Sequence, residues 1–262
     1  MVWKTLLIAC LSFCLLAGGL LVAAQDDAPL PPSLTPGPLP TATGDASPVP
    51  DWPLVVTAFA SDELPLVGAF YPADPARPTI LLLHQLYTDR TSWAPLIGPL
   101  LSAGYNVLAV DLRGYGETGG AIDWQQAVDD VAAWVEWLHT ESGVSNPAAA
   151  MIGSSMGSSL ALAGCANAPD CPTAIAISPG WAYQGLEVGD ALASGMGDRP
   201  VLLVYALRDA WPARGVPRLV DAATNPVTVL EYPGNAHGMD LLEAQAETLI
   251  PQIVEWLGQF AG

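Results

Sequence analysis

The sequence predicts an α/β fold: a doubly wound, mostly parallel β-sheet with helices on both faces. Three observations carry this. From about residue 54 onward, short β-rich runs alternate with longer segments of helical period. The runs are apolar almost throughout, as strands covered on both faces are. Strand–helix alternation of this kind implies right-handed βαβ crossovers. No internal repeat is visible.

Taken in order, "LVVTAFA" (54–60) and "LPLVGAFY" (64–71) read as opening strands. "TILLLH" (79–84), "NVLAVD" (106–111), "AAAMIG" (148–153), "TAIAIS" (173–178), "VLLVYA" (201–206) and "VTVLEY" (227–232) follow as buried strands. Between them, "TSWAPLIGPLLSAG" (91–104) opens on a Ser/Thr cap and stops at Gly104. In "DWQQAVDDVAAWVEWLHT" (123–140), Asp123 is a good N-cap, and Trp124, Val128, Val131, Val135 and Leu138 form one apolar stripe. "LLEAQAETLIPQIVEWLGQF" (241–260) closes the chain, and Pro251 inside it predicts a kink or a restart there.

The chain has 262 residues, 26 acidic against 8 basic, for a net charge of −18. So negative a surface repels phosphate backbones and anionic headgroups, which argues against nucleic-acid or anionic-lipid partners. Residues 1–24 combine Lys4, a long apolar run and small residues at 22 and 24, the pattern of a secretory signal cleaved after Ala24. An uncut membrane anchor and a lipidated Cys10 in "LIAC" are the two other readings. Under each, the expected location is extracytoplasmic, secreted or tethered to the outer face of the membrane through the N-terminus. Residues 25–53 are rich in Pro, Ser, Thr, Gly and Ala and read as a disordered linker, leaving 54–262 as the folded domain. Cys165 and Cys171, six positions apart across an Asn/Pro/Asp turn, fit a local disulfide in an exported protein. No histidine lies near them in sequence, so a metal site is not expected.

The chemistry centres on "AAAMIGSSMGSSLALAG" (148–164), where an apolar strand ends and a small-residue helix begins. G-x-S-x-G at that junction places Ser155 on a sharp turn. Side chains two residues before and after it would collide with neighbouring strand and helix. Gly153 and Gly157 therefore select Ser155 over Ser154, Ser158 and Ser159. Ser158 and Ser159 read as small residues that let the helix pack closely. Asp209 in "VYALRDAWPA" lies just past a downstream strand, and His237 in "EYPGNAHGMD" lies in a Gly-rich loop after the next one. Of the two other histidines, His84 ends a strand and His139 a surface helix, and neither suits a general base.

This Ser, Asp, His order, with "LLLHQLYTDRTSW" after an early strand and "DLRGYGET" (111–118) after the next, resembles the α/β-hydrolase superfamily over residues 54–262, in its esterase/lipase-like branch. The resemblance implies Ser155 as nucleophile, His237 as general base and Asp209 as its orienting acid. It implies an oxyanion hole from the Met156 amide and a second amide, of Leu86 or Gln85. His84 matches the first residue of the superfamily's His-Gly pair, which orients the oxyanion loop. Gln85 departs from the pattern, standing where glycine is usual. Asp111 and Arg113 read as structural partners in a buried turn.

About 22 residues separate the strand ending near Ser178 from the one starting at Val201. Capped superfamily members usually insert a much larger domain there, so a small lid and an open site are expected. Trp181, Tyr183, Met196 and Trp211 fall on loops at the carboxyl edge of the sheet and are candidates for an acyl or alcohol pocket, with ordinary packing as the alternative. The function implied is hydrolysis of a carboxylic ester or related small acyl compound, without cofactor or metal. Acyl transfer and peptide hydrolysis use the same triad. A silent scaffold that binds ligands is the reading from another class. A carboxylate-nucleophile dehalogenase is disfavoured by Ser155.

Overall fold

The computed structural model describes residues 53–262. The expected leader at 1–24, with Cys10, and all but the last residue of the expected linker at 25–53 lie outside the described residues. Among the described residues, no helix is long and apolar enough to cross a membrane.

Among the described residues, seventeen strands and α-helices follow one another: β1 Leu54–Phe59, β2 Pro65–Tyr71, β3 Thr79–Leu83, α1 Ala94–Ser102, β4 Asn106–Val110, α2 Trp124–Thr140, β5 Ala149–Ser154, α3 Met156–Asn167, β6 Ala174–Ile177, β7 Ala182–Tyr183, β8 Leu186–Glu187, α4 Val188–Asp190, β9 Val201–Ala206, α5 Pro212–Ala222, β10 Val227–Tyr232, α6 Met239–Ala244 and α7 Ala246–Phe260, with a 3₁₀ turn at Arg90–Trp93 and a π-helical turn at Ala191–Gly195. Eight strands form one sheet in the order β1-β2-β4-β3-β5-β6-β9-β10. The β1–β2 and β2–β4 pairings are antiparallel, and every pairing from β4 to β10 is parallel. The hairpin β7–β8 stands apart, in the short segment after β6.

The inner strands β3, β4, β5, β6 and β9 are buried at successive positions because the sheet is covered there on both sides, whereas the edge strands β1 and β10 are mostly exposed or half-buried. In β3, Leu81 and Leu83 enter the core on one side, and Ile80 and Leu82 the core on the other. β4 divides in the same way, Leu108 and Val110 against Val107 and Ala109. The first core contains residues of α2 and α3, the second residues of α1, α6 and α7.

Asp123 caps α2, its carboxylate accepting from the amides of Gln125 and Gln126. The buried line of that helix is Ala127, Val131, Trp134 and Leu138, with Trp124, Val128 and Val135 flanking it at partial burial. It also buries Asp130, which accepts 2.9 and 2.6 Å bonds from Arg113, while Arg113 reaches Asp62 with its remaining face. The closing helix differs from expectation. Its interruption falls at Gln245, and α7 runs on through Pro251. Proline removes only one backbone donor, and the buried residues Leu249, Ile253 and Leu257 hold α7 on the core on either side of it.

Candidate active site

The junction of β5 and α3 is as tight as the glycine pattern demands. A Cβ on Gly153 would lie 2.0 Å from the Gly157 carbonyl oxygen, and one on Gly157 would lie 2.1 Å from that of Leu83. Ser155, between them, has φ 51 and ψ −114, a strained conformation for a residue with a side chain. Its amide donates to the Ile177 carbonyl at 2.8 Å, which ties the turn to β6.

Two other strand ends bring the partners. Asp209 follows β9, and His237 lies in the loop between β10 and α6. His237 Nε2 lies 2.7 Å from Ser155 Oγ, and Nδ1 lies 2.5 Å from an Asp209 carboxylate oxygen. The carboxylate only accepts, so Nδ1 carries the proton and Nε2 accepts the serine hydroxyl. Ser155 is buried, and the His237 side chain is one-third exposed, which leaves the site reachable from solvent.

The loop after β3 is held from both ends. His84 is fully buried, and burial is the main reason its pKa lies below the ordinary histidine value. The neutral ring donates from Nδ1 to the Gln85 carbonyl at 2.7 Å and accepts at Nε2 from the Leu112 amide at 3.0 Å. Thr88 Oγ1 donates to the same carbonyl at 2.9 Å. In a trans peptide N–H and C=O point opposite ways, so fixing the Gln85 carbonyl aims the Leu86 amide away from His84. The Met156 amide, at the first position of α3, has no acceptor within its helix.

Gln85 has a role its position alone did not suggest. Its side-chain oxygen accepts from Ser154 Oγ at 3.1 Å and from the Met239 amide at 2.9 Å, joining the loop after β3 to the β5–α3 turn and to the histidine loop. Gly238 makes room for it: a Cβ there would lie 1.9 Å from that oxygen. Ser178 Oγ accepts from the Gly238 amide at 2.9 Å, a second brace on the histidine loop. Neither side-chain bond had a signal in the sequence beyond the unusual Gln85 itself.

The four pocket candidates separate. Trp211 lies tilted against His237, ring centroids 6.4 Å apart, and Tyr183 lies against Trp211 at 5.7 Å. Trp124 and Tyr115, not foreseen at the site, extend the series back to His84, giving an arc of aromatic rings with neighbours 5.3 to 6.5 Å apart. Trp181 is half-buried with its ring under the Arg218 guanidinium. Met196 is a correction: it is completely buried in the core that α3 shares, so it offers no surface to a ligand. A pocket of about 620 Å³ between α2 and α3 holds none of the candidate residues.

Cys165 and Cys171 are joined by a disulfide at the end of α3. Asp111 is buried and accepts from the Arg90 and Glu117 amides and the Arg90 guanidinium, bracing the loops after β3 and β4. Among the described residues, no group of three His, Cys, Asp or Glu side chains is placed to hold a metal.

The family model for the alpha/beta hydrolase fold matches residues 78–199. The chain belongs to the α/β-hydrolase fold. An esterase of Pyrococcus furiosus superposes with a TM-score of 0.69 at 21% identity, covering 85% of this chain and 97% of that one. A dienelactone hydrolase of Anabaena variabilis superposes with a TM-score of 0.68 at 16% identity, over 80% and 98%. By sequence, the chain is 26% identical over 170 residues to RutD of Variovorax paradoxus, whose name proposes it as a carbamate hydrolase, over 60% of this chain and 61% of that protein. It is 27% identical over 123 residues to the uncharacterised YfhR of Salmonella typhimurium, over 43% and 42%. The chain thus spans about two to three fifths of the length of these curated relatives.

Proposed function

We propose that this α/β hydrolase cleaves carboxylic esters, or closely related acyl compounds, through an acyl-enzyme on Ser155. The observation that carries the reading is His237, within hydrogen-bond reach of Ser155 Oγ on one ring nitrogen and of Asp209 on the other. A serine hydroxyl is a weak nucleophile at neutral pH, and this arrangement supplies the base it needs. Esters, lactones and carbamates are all carboxyl derivatives, so the names of the relatives fit the same chemistry.

In the proposed reaction Ser155 Oγ bonds to the acyl carbon as its proton passes to His237 Nε2, and the carbonyl becomes an oxyanion. The Met156 and Leu86 amides receive that charge; the peptide geometry favours Leu86 over Gln85 as the second donor. Collapse breaks the bond to the leaving group, which takes the proton from His237. Water then attacks the acyl-enzyme by the same route, releasing the acid and restoring Ser155. Asp209 keeps the proton-accepting tautomer of His237 facing the serine and stabilises the imidazolium that forms.

A fluorophosphonate probe tests this. The expected adduct, located by mass spectrometry, is on Ser155, and Ser155→Ala loses both the adduct and esterase activity, with kcat falling by on the order of 10⁶. Absence of labelling, or labelling unchanged in Ser155→Ala, overturns the reading.

A further inference from the structure

We propose, resting on the serine-hydrolase reading, that Arg214 and Arg218 form a subsite for an anionic group of the substrate, a carboxylate carried on an apolar or aromatic ester. The argument starts from where the scarce cations lie. The chain has one lysine, Lys4, and seven arginines against 26 acidic residues. Four arginines are engaged internally. Arg90 and Arg113 make ion pairs, Arg199 donates to six backbone carbonyls, and Arg77 lies over Tyr105. The other three, Arg208, Arg214 and Arg218, are exposed, make no ion pair among the described residues, and fall within one stretch that also holds Asp209 and Trp211.

Two of the three line a pocket. A concavity of about 360 Å³ is bounded by Trp181, Trp211, Arg214, Gly215 and Arg218. Its Trp211 wall is the same indole whose ring centroid lies 6.4 Å from that of His237, so the pocket is linked to the triad through that ring. The Arg218 guanidinium lies 4.2 Å over the Trp181 ring, which orders it without neutralising it. Arg214 occupies the first turn of α5, which carries no acidic residue there. That is the end where the helix macrodipole disfavours a cation, so helix stability does not account for it. Asp221 lies three residues beyond Arg218 and does not pair with it. Flat apolar walls with two forked donors that make no ion pair among the described residues suit an aromatic or alkyl body ending in a carboxylate.

The test measures binding without turnover, in the full chain carrying Ser155→Ala. The ligands are two matched pairs: 4-acetoxybenzoate with its methyl ester, and 4-nitrophenyl hydrogen adipate with 4-nitrophenyl methyl adipate. Calorimetry is expected to show the carboxylate member of at least one pair bound about fivefold or more tightly than its neutral partner. That preference is expected to vanish when Arg214→Gln and Arg218→Gln are added, with the neutral ester's affinity unchanged. No preference in either pair, or a preference that survives the arginine replacements, overturns the subsite. A preference that vanishes as described, in a protein whose unaltered Ser155 resists fluorophosphonate, upholds the subsite and overturns the serine-hydrolase reading instead.

Discussion

Gln85→Met keeps a long side chain between the three loops and removes its acceptor oxygen. Two donors then lose their partner, the Ser154 hydroxyl and the Met239 amide, both on buried residues. A stranded buried donor costs about 1–3 kcal/mol, so the two together give about 2–6 kcal/mol. The hydroxyl rotates and can seek another acceptor, whereas the amide is fixed at the start of α6, so the lower half of that range is the firmer expectation. Kinetics should change as well, because Ser154 precedes Ser155 and Met239 lies two residues past His237. A loss of about 1.4 kcal/mol of alignment is tenfold in rate. Urea unfolding, with the slope compared between proteins, measures the first effect, and steady-state hydrolysis of a 4-nitrophenyl ester the second. Gln85→Glu, which keeps an acceptor at the same place, should recover most of the rate. The reasoning fails if Gln85→Met unfolds within about 0.5 kcal/mol of the parent, the scatter of neutral surface changes, with kcat unaltered.

Arg113→Ala strands Asp130 inside α2 and should destabilise the fold by about 3–5 kcal/mol by urea titration, while replacing the exposed Asp62 by alanine should be far milder. His84 has its pKa lowered by burial, so the unfolded chain binds the extra proton first; stability should fall as pH drops below about 6.5, and a His84→Gln variant should lose that part of the dependence in melts taken from pH 7.5 to 5. Replacing both Cys165 and Cys171 by alanine should lower stability by about 2 kcal/mol, the loop-entropy value for so short a ring, measured by denaturant titration against the oxidised parent.

What the sequence made legible follows from where sterics leave few choices. The parallel strands stood out because burial on both faces forbids polar residues at successive positions. Ser155 stood out from three other serines because only glycine fits at 153 and 157. Other features left weaker traces. Gln245 is a good helix former, so nothing local announced the break there, whereas Pro251 announced one that tertiary packing overrides. Met196 belongs to the segment that carries Trp181 and Tyr183, but it turns into the core, a distinction set by depth that a loop sequence does not encode. The aromatic arc draws Tyr115, Trp124, Tyr183 and Trp211 from four separate segments, so no spacing reveals it.

Gln85 shows how a departure from a family pattern is absorbed. A glycine there would leave the Met239 amide and the Ser154 hydroxyl facing empty space. Glutamine fills that space, and the room for its oxygen comes from Gly238, which lacks the Cβ that would collide with it. The two positions are therefore coupled: a side chain at 238 is excluded because of the one at 85. Gly238 has φ 58 and ψ −122, close to the conformation of Ser155, which does carry a side chain. Backbone strain alone thus does not forbid a Cβ at 238; contact with Gln85, and secondarily with Ser154 Oγ at 2.8 Å, does. The same contacts that exclude it bind the histidine loop to the β5–α3 turn, so Gln85 braces the segments that carry His237 and Ser155, whose ring nitrogen and hydroxyl oxygen lie 2.7 Å apart.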